Sequence, residues 1–257
     1  MAQRNLWTRD EMILTLALYF QLPFGRLNHS TPEVMELAKL MGRTNNAVAL
    51  RLVNFAACDP YIINSGRTGM PGGLNICMPY WEEFANKKDT LFLEAEKIKA
   101  DLARLSLEDF LHIKETELVG KDKLVVVKQR VNQNAFRAMI LHNYGCQCAI
   151  TGITVPELLV ASHIIPWAEN EKERLNPENG ICFSVLYDEA FDKGFIAVSP
   201  EDYTILLSRE LKEYSKMDFY QQHFGSIEHE RIMLPEEHIP NTQFLEYHFN
   251  NIFVSRN

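Results

Sequence analysis

His163, Asn179, Asp188 and Asp192 are the residues of this 257-residue chain whose types and spacing suit catalysis. Asp188 and Asp192 lie four apart in SVLYDEAFDKG, which reads as a short helix with Ser184 as N-cap and Gly194 as its stop. That spacing puts both carboxylates on one helix face. Asp192, in the last turn, meets the negative end of the helix dipole and calls for a cation: a metal, Arg174 or Lys193. Two carboxylates and a histidine suit a hard divalent ion such as Mg²⁺ or Mn²⁺, with water completing the shell. A histidine at a strand end can deprotonate water for attack on phosphorus, with the metal stabilising the leaving oxyanion. Taken singly, each residue has a plainer reading. His163 would be a satisfied, half-buried histidine, Asn179-Gly180 a turn, and the two aspartates a solvated helix face.

The elements that must position these residues are short. Gln129 to Tyr144 reads as a helix carrying Val131, Phe136, Met139, Ile140 and Leu141. Cys148–Ile150 and Leu158–Ala161 suit strands, the second delivering His163 to its end before Pro166. A polar loop, ENEKERLNPENG, precedes a short apolar element at Ile181–Phe183. FIAV and YTILL are strand-like.

The stretch ASHIIPW, then ERLNPENGICFS, then LYDEAFDKGFI resembles the HNH nuclease family, in the branch of restriction endonucleases. The resemblance extends upstream to NQNAFR and CAITG and downstream to LEYHFNNIF. It covers roughly residues 129–257, and three blocks in order are specific where one would be weak. It implies a ββα-metal finger that hydrolyses DNA phosphodiester bonds. By the same resemblance His163 is the general base, counted with Asp188 and Asp192 among the metal residues, and Asn179 braces the loop. Asp188 is the first metal ligand, standing where relatives carry a final His or Asn. Asp192 is a second ligand or a structural acceptor. Where relatives carry a ligand just before the base, this chain has Ser162, so the metal's ligand set is open. Tyr187 packs or touches a phosphate. Arg137 reaches a phosphate or anchors its helix. Cys146, Cys148 and Cys182 offer no second Cys-x-x-Cys pair, so structural zinc is not expected.

The first part of the chain reads as helical. Thr8 and Glu11 form a capping-box pattern, followed by Ile13, Leu14, Leu16, Ala17 and Phe20. Pro32 opens a second helix that Gly42 breaks, and Thr44 or Asn45 caps a third carrying Val48, Leu52 and Phe55. Ala38, Gly42 and Val48 stand at the small, turn and core positions of a helix-turn-helix, which this stretch resembles. Thr44, Asn45, Asn46 and Arg51 would then face DNA; the plainer alternative is a helical bundle with a polar helix end. Residues 59–79, rich in Gly, Pro and Asn, read as an irregular loop, and 81–105 as one long helix. Leu124 to Val127 suits a short strand.

The fold class is therefore α+β. A helical, helix-turn-helix-like DNA-binding domain spans 1–105, a linker 106–128 and an HNH nuclease domain 129–257. The formal charge of −8 is uneven: residues 171–257 hold 8 basic and 16 acidic side chains, and residues 1–90 hold 9 and 8. Any DNA-binding face must come from local arrangement rather than bulk charge. No apolar run is long enough for a membrane span, and the start lacks a secretory pattern. The odd count of five cysteines fits a reducing cytoplasm. The expected partner is double-stranded DNA, without a membrane, and with a homodimer if one site per chain is to cut both strands. Two other functions fit the same residues: a DNA-binding regulator on an inactive HNH fold, and an RNase or toxin-type effector.

Overall fold

The computed structural model describes residues 6–120 and 122–253. The first five residues of the start read above lie outside them. The chain divides into two compact units, residues 1–135 and 136–257.

Among the described residues, the regular structure of the first unit is helical throughout. Helix α1 (Arg9–Gln21) opens with the anticipated capping box: Thr8 accepts from the Glu11 N–H, and Glu11 accepts from that of Thr8. Helix α2 (Pro32–Met41) ends where Gly42 turns left-handed at φ 64°. Helix α3 (Asn45–Ala56) starts on Thr44, whose hydroxyl accepts from the Ala47 N–H. Helices α4 (Pro60–Asn64), α5 (Leu74–Phe84) and α6 (Lys88–Ala103) follow, then the short α7 (Leu107–Phe110) and α8 (Glu115–Leu118). Leu16, Val34, Leu52, Phe55 and Leu91 are fully buried in this unit.

Three expectations are corrected here. Residues 59–79 are partly helical, because Asp59 caps α4 and Pro60 sits at its first position. The stretch 81–105 is two helices, broken at 85–87. Leu124–Val127 lies in a long helix, α9 (Lys123–Asn143). Asp122 starts it by accepting from the Leu124 N–H at 2.8 Å. Val127, Val131, Ala135 and Met139 then continue as one buried stripe. Four-residue recurrence over that length outweighs the local β-propensity of the valines.

In the second unit, β1 (Leu159–His163) pairs antiparallel with β2 (Gly180–Ser184), and helix α10 (Val185–Asp192) follows directly. The expected strand at Cys148–Ile150 is a turn instead. Cys148 N–H bonds to Ile153 O across it, and Gly152 takes φ 68°. Strands β3 (Ile196–Val198) and β4 (Ile205–Leu207) form a second antiparallel pair. Helices α11 (Arg209–Lys212), α12 (Asp218–Tyr220) and α13 (Thr242–His248) complete the unit. The whole is an α+β chain, with a helical N-terminal unit and a C-terminal unit that holds the ββα arrangement.

The register of the hairpin decides which side chains meet. Cross-strand partners share a face and neighbours along a strand do not. His163 pairs with Gly180, and Ala161 with Cys182, on the face covered by α9. A Cβ on Gly180 would fall 2.6 Å from the Phe136 ring and 2.5 Å from Ile140 Cδ1, so any side chain there must push both aside. Ser162 pairs with Ile181, and Val160 with Phe183, on the other face. There α10 packs, with Phe183 and Phe191 rings 5.5 Å apart.

Candidate active site

His163 is held on the α9 face of β1. Its ring stacks on Phe136, with centroids 3.6 Å apart and planes at 16°, and Trp167 stands edge-on at 5.4 Å. Its Nε2 lies 3.1 Å from the backbone oxygen of Arg174. A carbonyl can only accept, so Nε2 carries the proton and Nδ1 keeps the lone pair. Burial lowers the pKa of the ring to about 4; the Arg174 cation pushes the same way and the carbonyl bond opposes. His163 is therefore a neutral imidazole with one basic nitrogen.

The loop between the strands is braced by Asn179, which is 1% exposed. Its Oδ1 accepts from Ile165 N–H at 2.8 Å, and its Nδ2 donates to Ile165 O at 3.3 Å and Glu173 O at 3.2 Å. Its carbonyl accepts from Ile164 N–H at 3.0 Å. Asn179 thus ties together both ends of the loop whose Arg174 carbonyl holds the His163 ring. Arg174 adds a cross-link, Nε to Trp167 O at 2.7 Å, with its guanidinium over the Trp167 ring.

The α10 face of β1 carries oxygen instead. Asp188 and Asp192 lie one helical turn apart. Burial raises the pKa of Asp188, Glu189 adds to the rise, and the Ser162 hydroxyl opposes it. Ser162 is 1% exposed, and its Oγ completes no hydrogen bond of good geometry, although it is close enough to influence Asp188. Asp192 is raised to about 6, first by burial and then by Asp188 and Glu189. Asp192 also reaches the surface, so solvent screens part of that rise. Of the two basic partners anticipated for this helix end, Lys193 pairs with Glu189 at 2.7 Å and Arg174 turns to Trp167.

Asp188 and Asp192, with the buried Ser162 hydroxyl beside Asp188, form a set of hard oxygen donors, which fits a divalent ion of the Mg²⁺ or Mn²⁺ kind. His163 does not join this set. Its ring lies on the opposite face of the strand with Nε2 committed to Arg174. Among the described residues, no group of three His, Cys, Asp or Glu side chains is placed to hold a metal. The expected grouping of His163 with Asp188 and Asp192 as ligands is therefore not assembled: the ring lies on one face of β1 and the two carboxylates on the other.

Three anticipated DNA contacts are placed elsewhere. Tyr187 is buried and donates its hydroxyl to His223 O at 2.6 Å, because the helix turns it into the core. Arg137 donates to Leu159 O at 2.6 Å and Pro156 O at 2.8 Å, so it anchors the start of β1. Arg51 is drawn inward: its guanidinium lies 4.9 Å from the Trp7 ring centroid and its Nη1 reaches Cys77 Sγ. Thr44 and Asn46 remain exposed at the start of α3, with Asn45 half-buried.

The sequence reading missed Phe136 as the platform for His163, and His248 as the support of α10. His248 is buried, stacks on Phe191 at 3.6 Å and 6°, and meets Phe191 O at 3.0 Å. Its place in LEYHFNNIF was the available signal. The Arg174 carbonyl had none, because a backbone acceptor has no residue identity.

Residues 148–199 match the family model described as HNH_2, HNH endonuclease. The match spans β1, the braced loop, β2, α10 and β3, and so contains His163, Asn179, Asp188 and Asp192. It supports the HNH family for this segment and nuclease chemistry in general. No curated protein matches the chain. Among the described residues, no helix is long and apolar enough to cross a membrane.

Proposed function

We propose that the C-terminal unit is a metal-dependent DNA endonuclease that hydrolyses phosphodiester bonds. The carrying observation is the neutral His163, with Nδ1 as its basic nitrogen, beside but not among the oxygen donors Ser162, Asp188 and Asp192. His163 Nδ1 takes a proton from a water molecule as the water oxygen attacks phosphorus. The bond from phosphorus to the leaving sugar oxygen breaks, and that oxygen is protonated from solvent. A divalent cation held by Asp188 and Asp192 would supply charge stabilisation for the phosphoryl group and the leaving oxygen. Asn179 and the Arg174 carbonyl keep the imidazole oriented and in one tautomer.

The helical unit is assigned the docking of DNA through Thr44, Asn45 and Asn46 at the start of α3. The charges of Arg43 and Arg51 contribute less, since Arg43 is paired with Glu11 at 2.7 Å and Arg51 is enclosed. The domain assignment of 1–105, 106–128 and 129–257 is kept as part of this reading. The biological role assigned is restriction of foreign DNA in the cytoplasm, with a homodimer delivering two cuts.

The test is cleavage of DNA and RNA panels, with modified and unmodified DNA, in Mg²⁺ or Mn²⁺ and with a His163→Ala control. DNA cutting that is lost on chelation and in the variant supports the reading. Intact DNA with cut RNA favours the RNase alternative. Specific DNA binding without any cleavage favours the regulator.

A further inference from the structure

The candidate site has an electrostatic gap. Asp188, Glu189 and Asp192 crowd α10, and a phosphodiester brings another negative charge to the same place. A cation fixed beside the base would offset that repulsion in a partly desolvated site. The nearby basic side chains differ in their commitments. Arg137 spends Nη1 and Nη2 on two backbone carbonyls. Lys193 pairs with Glu189.

Arg174 is arranged differently. Its backbone oxygen holds His163, and its Nε bonds to Trp167 O. Its guanidinium carbon lies 5.0 Å from the centroid of the Trp167 ring, which itself stands edge-on to His163. Its ion partner is Glu171 at 3.2 Å, whose side chain is 82% exposed. Water and salt screen such a pair, so an incoming anion displaces it at little cost. A planar cation is thus immobilised next to the base, with its Nη edge committed only to an exposed carboxylate.

We propose that Arg174 is the phosphate-binding residue of this site, its Nη1 and Nη2 bonding oxygens of the scissile phosphodiester while Trp167 fixes the guanidinium plane. The guanidinium fork matches two phosphate oxygens, which a lysine ammonium does not. This rests on the nuclease reading above, and it adds the residue that brings the phosphate to His163.

The test separates the two ideas by measuring binding without chemistry. The full chain carrying His163→Ala is titrated with a DNA duplex in chelator, across a salt series. Adding Arg174→Gln is expected to weaken binding roughly tenfold and to lower the salt slope by about one. Arg174→Lys is expected to keep the slope and lose part of the affinity. With His163 intact, Arg174→Gln lowers kcat/KM roughly tenfold to a hundredfold, the size of a charged hydrogen bond. An unchanged affinity and slope in Arg174→Gln would overturn the proposal. If Arg174→Gln melts below the assay temperature, Arg174→Lys decides: affinity and kcat/KM equal to those of the parent overturn it, and a loss of both supports it. Cleavage that persists in His163→Ala alone would instead overturn the base assignment, whatever the binding shows.

Discussion

The two faces of strand β1 are finished to different degrees. On the α9 side the ring of His163 is held from three directions, leaving Nδ1 its lone pair: Phe136 stacks on it, Trp167 closes its edge and Arg174 O accepts a hydrogen bond from Nε2. On the α10 side, one residue earlier, the buried Ser162 hydroxyl reaches Asp188 only in poor geometry, and Asp188 in turn pushes up the pKa of Asp192. A core built only for stability would have removed such conflicts. In the proposed nuclease reading, the first face holds the base in one orientation and the second presents its carboxylates to a cation. Strand alternation achieves both, because residues 162 and 163 are adjacent in sequence and opposite in direction.

Changes that break the first face should have the largest effects. Asn179→Ala strips a buried backbone N–H and two carbonyls of their partner, so unfolding free energy should fall by about 3 kcal/mol, with cleavage falling alongside. Chemical denaturation checks this, and a loss under about 0.5 kcal/mol would mean the brace is dispensable. Gly180→Ala forces Phe136 and Ile140 to move, with an expected cost of about 1–3 kcal/mol. Its cleavage rate should drop even at temperatures where it stays folded, because the platform under His163 shifts.

Changes to the second face should be smaller in stability and visible in pH. Asp192 is raised in the folded state, so its contribution to stability is full below about pH 3.8 and is lost as pH rises through about 6. Asp192→Asn should therefore stabilise the metal-free protein at pH 8, by about 1 kcal/mol or less because water screens the group. The same variant should lose stabilisation by Mg²⁺ or Mn²⁺, and thermal melts with and without metal check both signs. His163 and His248 are lowered to about 4, so the stability they provide is present above about pH 6.5 and is lost as pH falls toward 4. Activity should accordingly keep its base neutral down to that range. Its acid limb should lie nearer pH 6, set by the carboxylates, and should move lower as metal concentration rises. A limb that ignores metal concentration would point back to His163.

The same contrast explains what could be read before the structure. Helices α1, α2 and α3 were legible because Thr8, Glu11, Pro32, Gly42 and Thr44 act locally through caps and φ angles. His163, Asn179, Asp188 and Asp192 were legible through type and order. Which of them share a face was not, since that depends on the pairing of β1 with β2, and the strand expected at Cys148–Ile150 is a turn. A shift of partner or register redirects every side chain on a strand. The fates of Arg51, Arg137 and Tyr187 were hidden for a related reason. Basic and phenolic groups suit phosphate and backbone carbonyls equally well, and the carbonyls that took Arg137 and Tyr187 lie 19 to 36 residues away along the chain.

The central claim is that base and metal ligands occupy opposite faces of β1. The most direct measurement is calorimetric binding of Mn²⁺ to the full chain, paired with plasmid cleavage, for His163→Ala and Asp188→Asn. The account predicts that His163→Ala binds Mn²⁺ as the parent does yet cleaves roughly a hundredfold or more slower, while Asp188→Asn loses both. Loss of Mn²⁺ binding in His163→Ala would contradict it, by placing the histidine among the ligands.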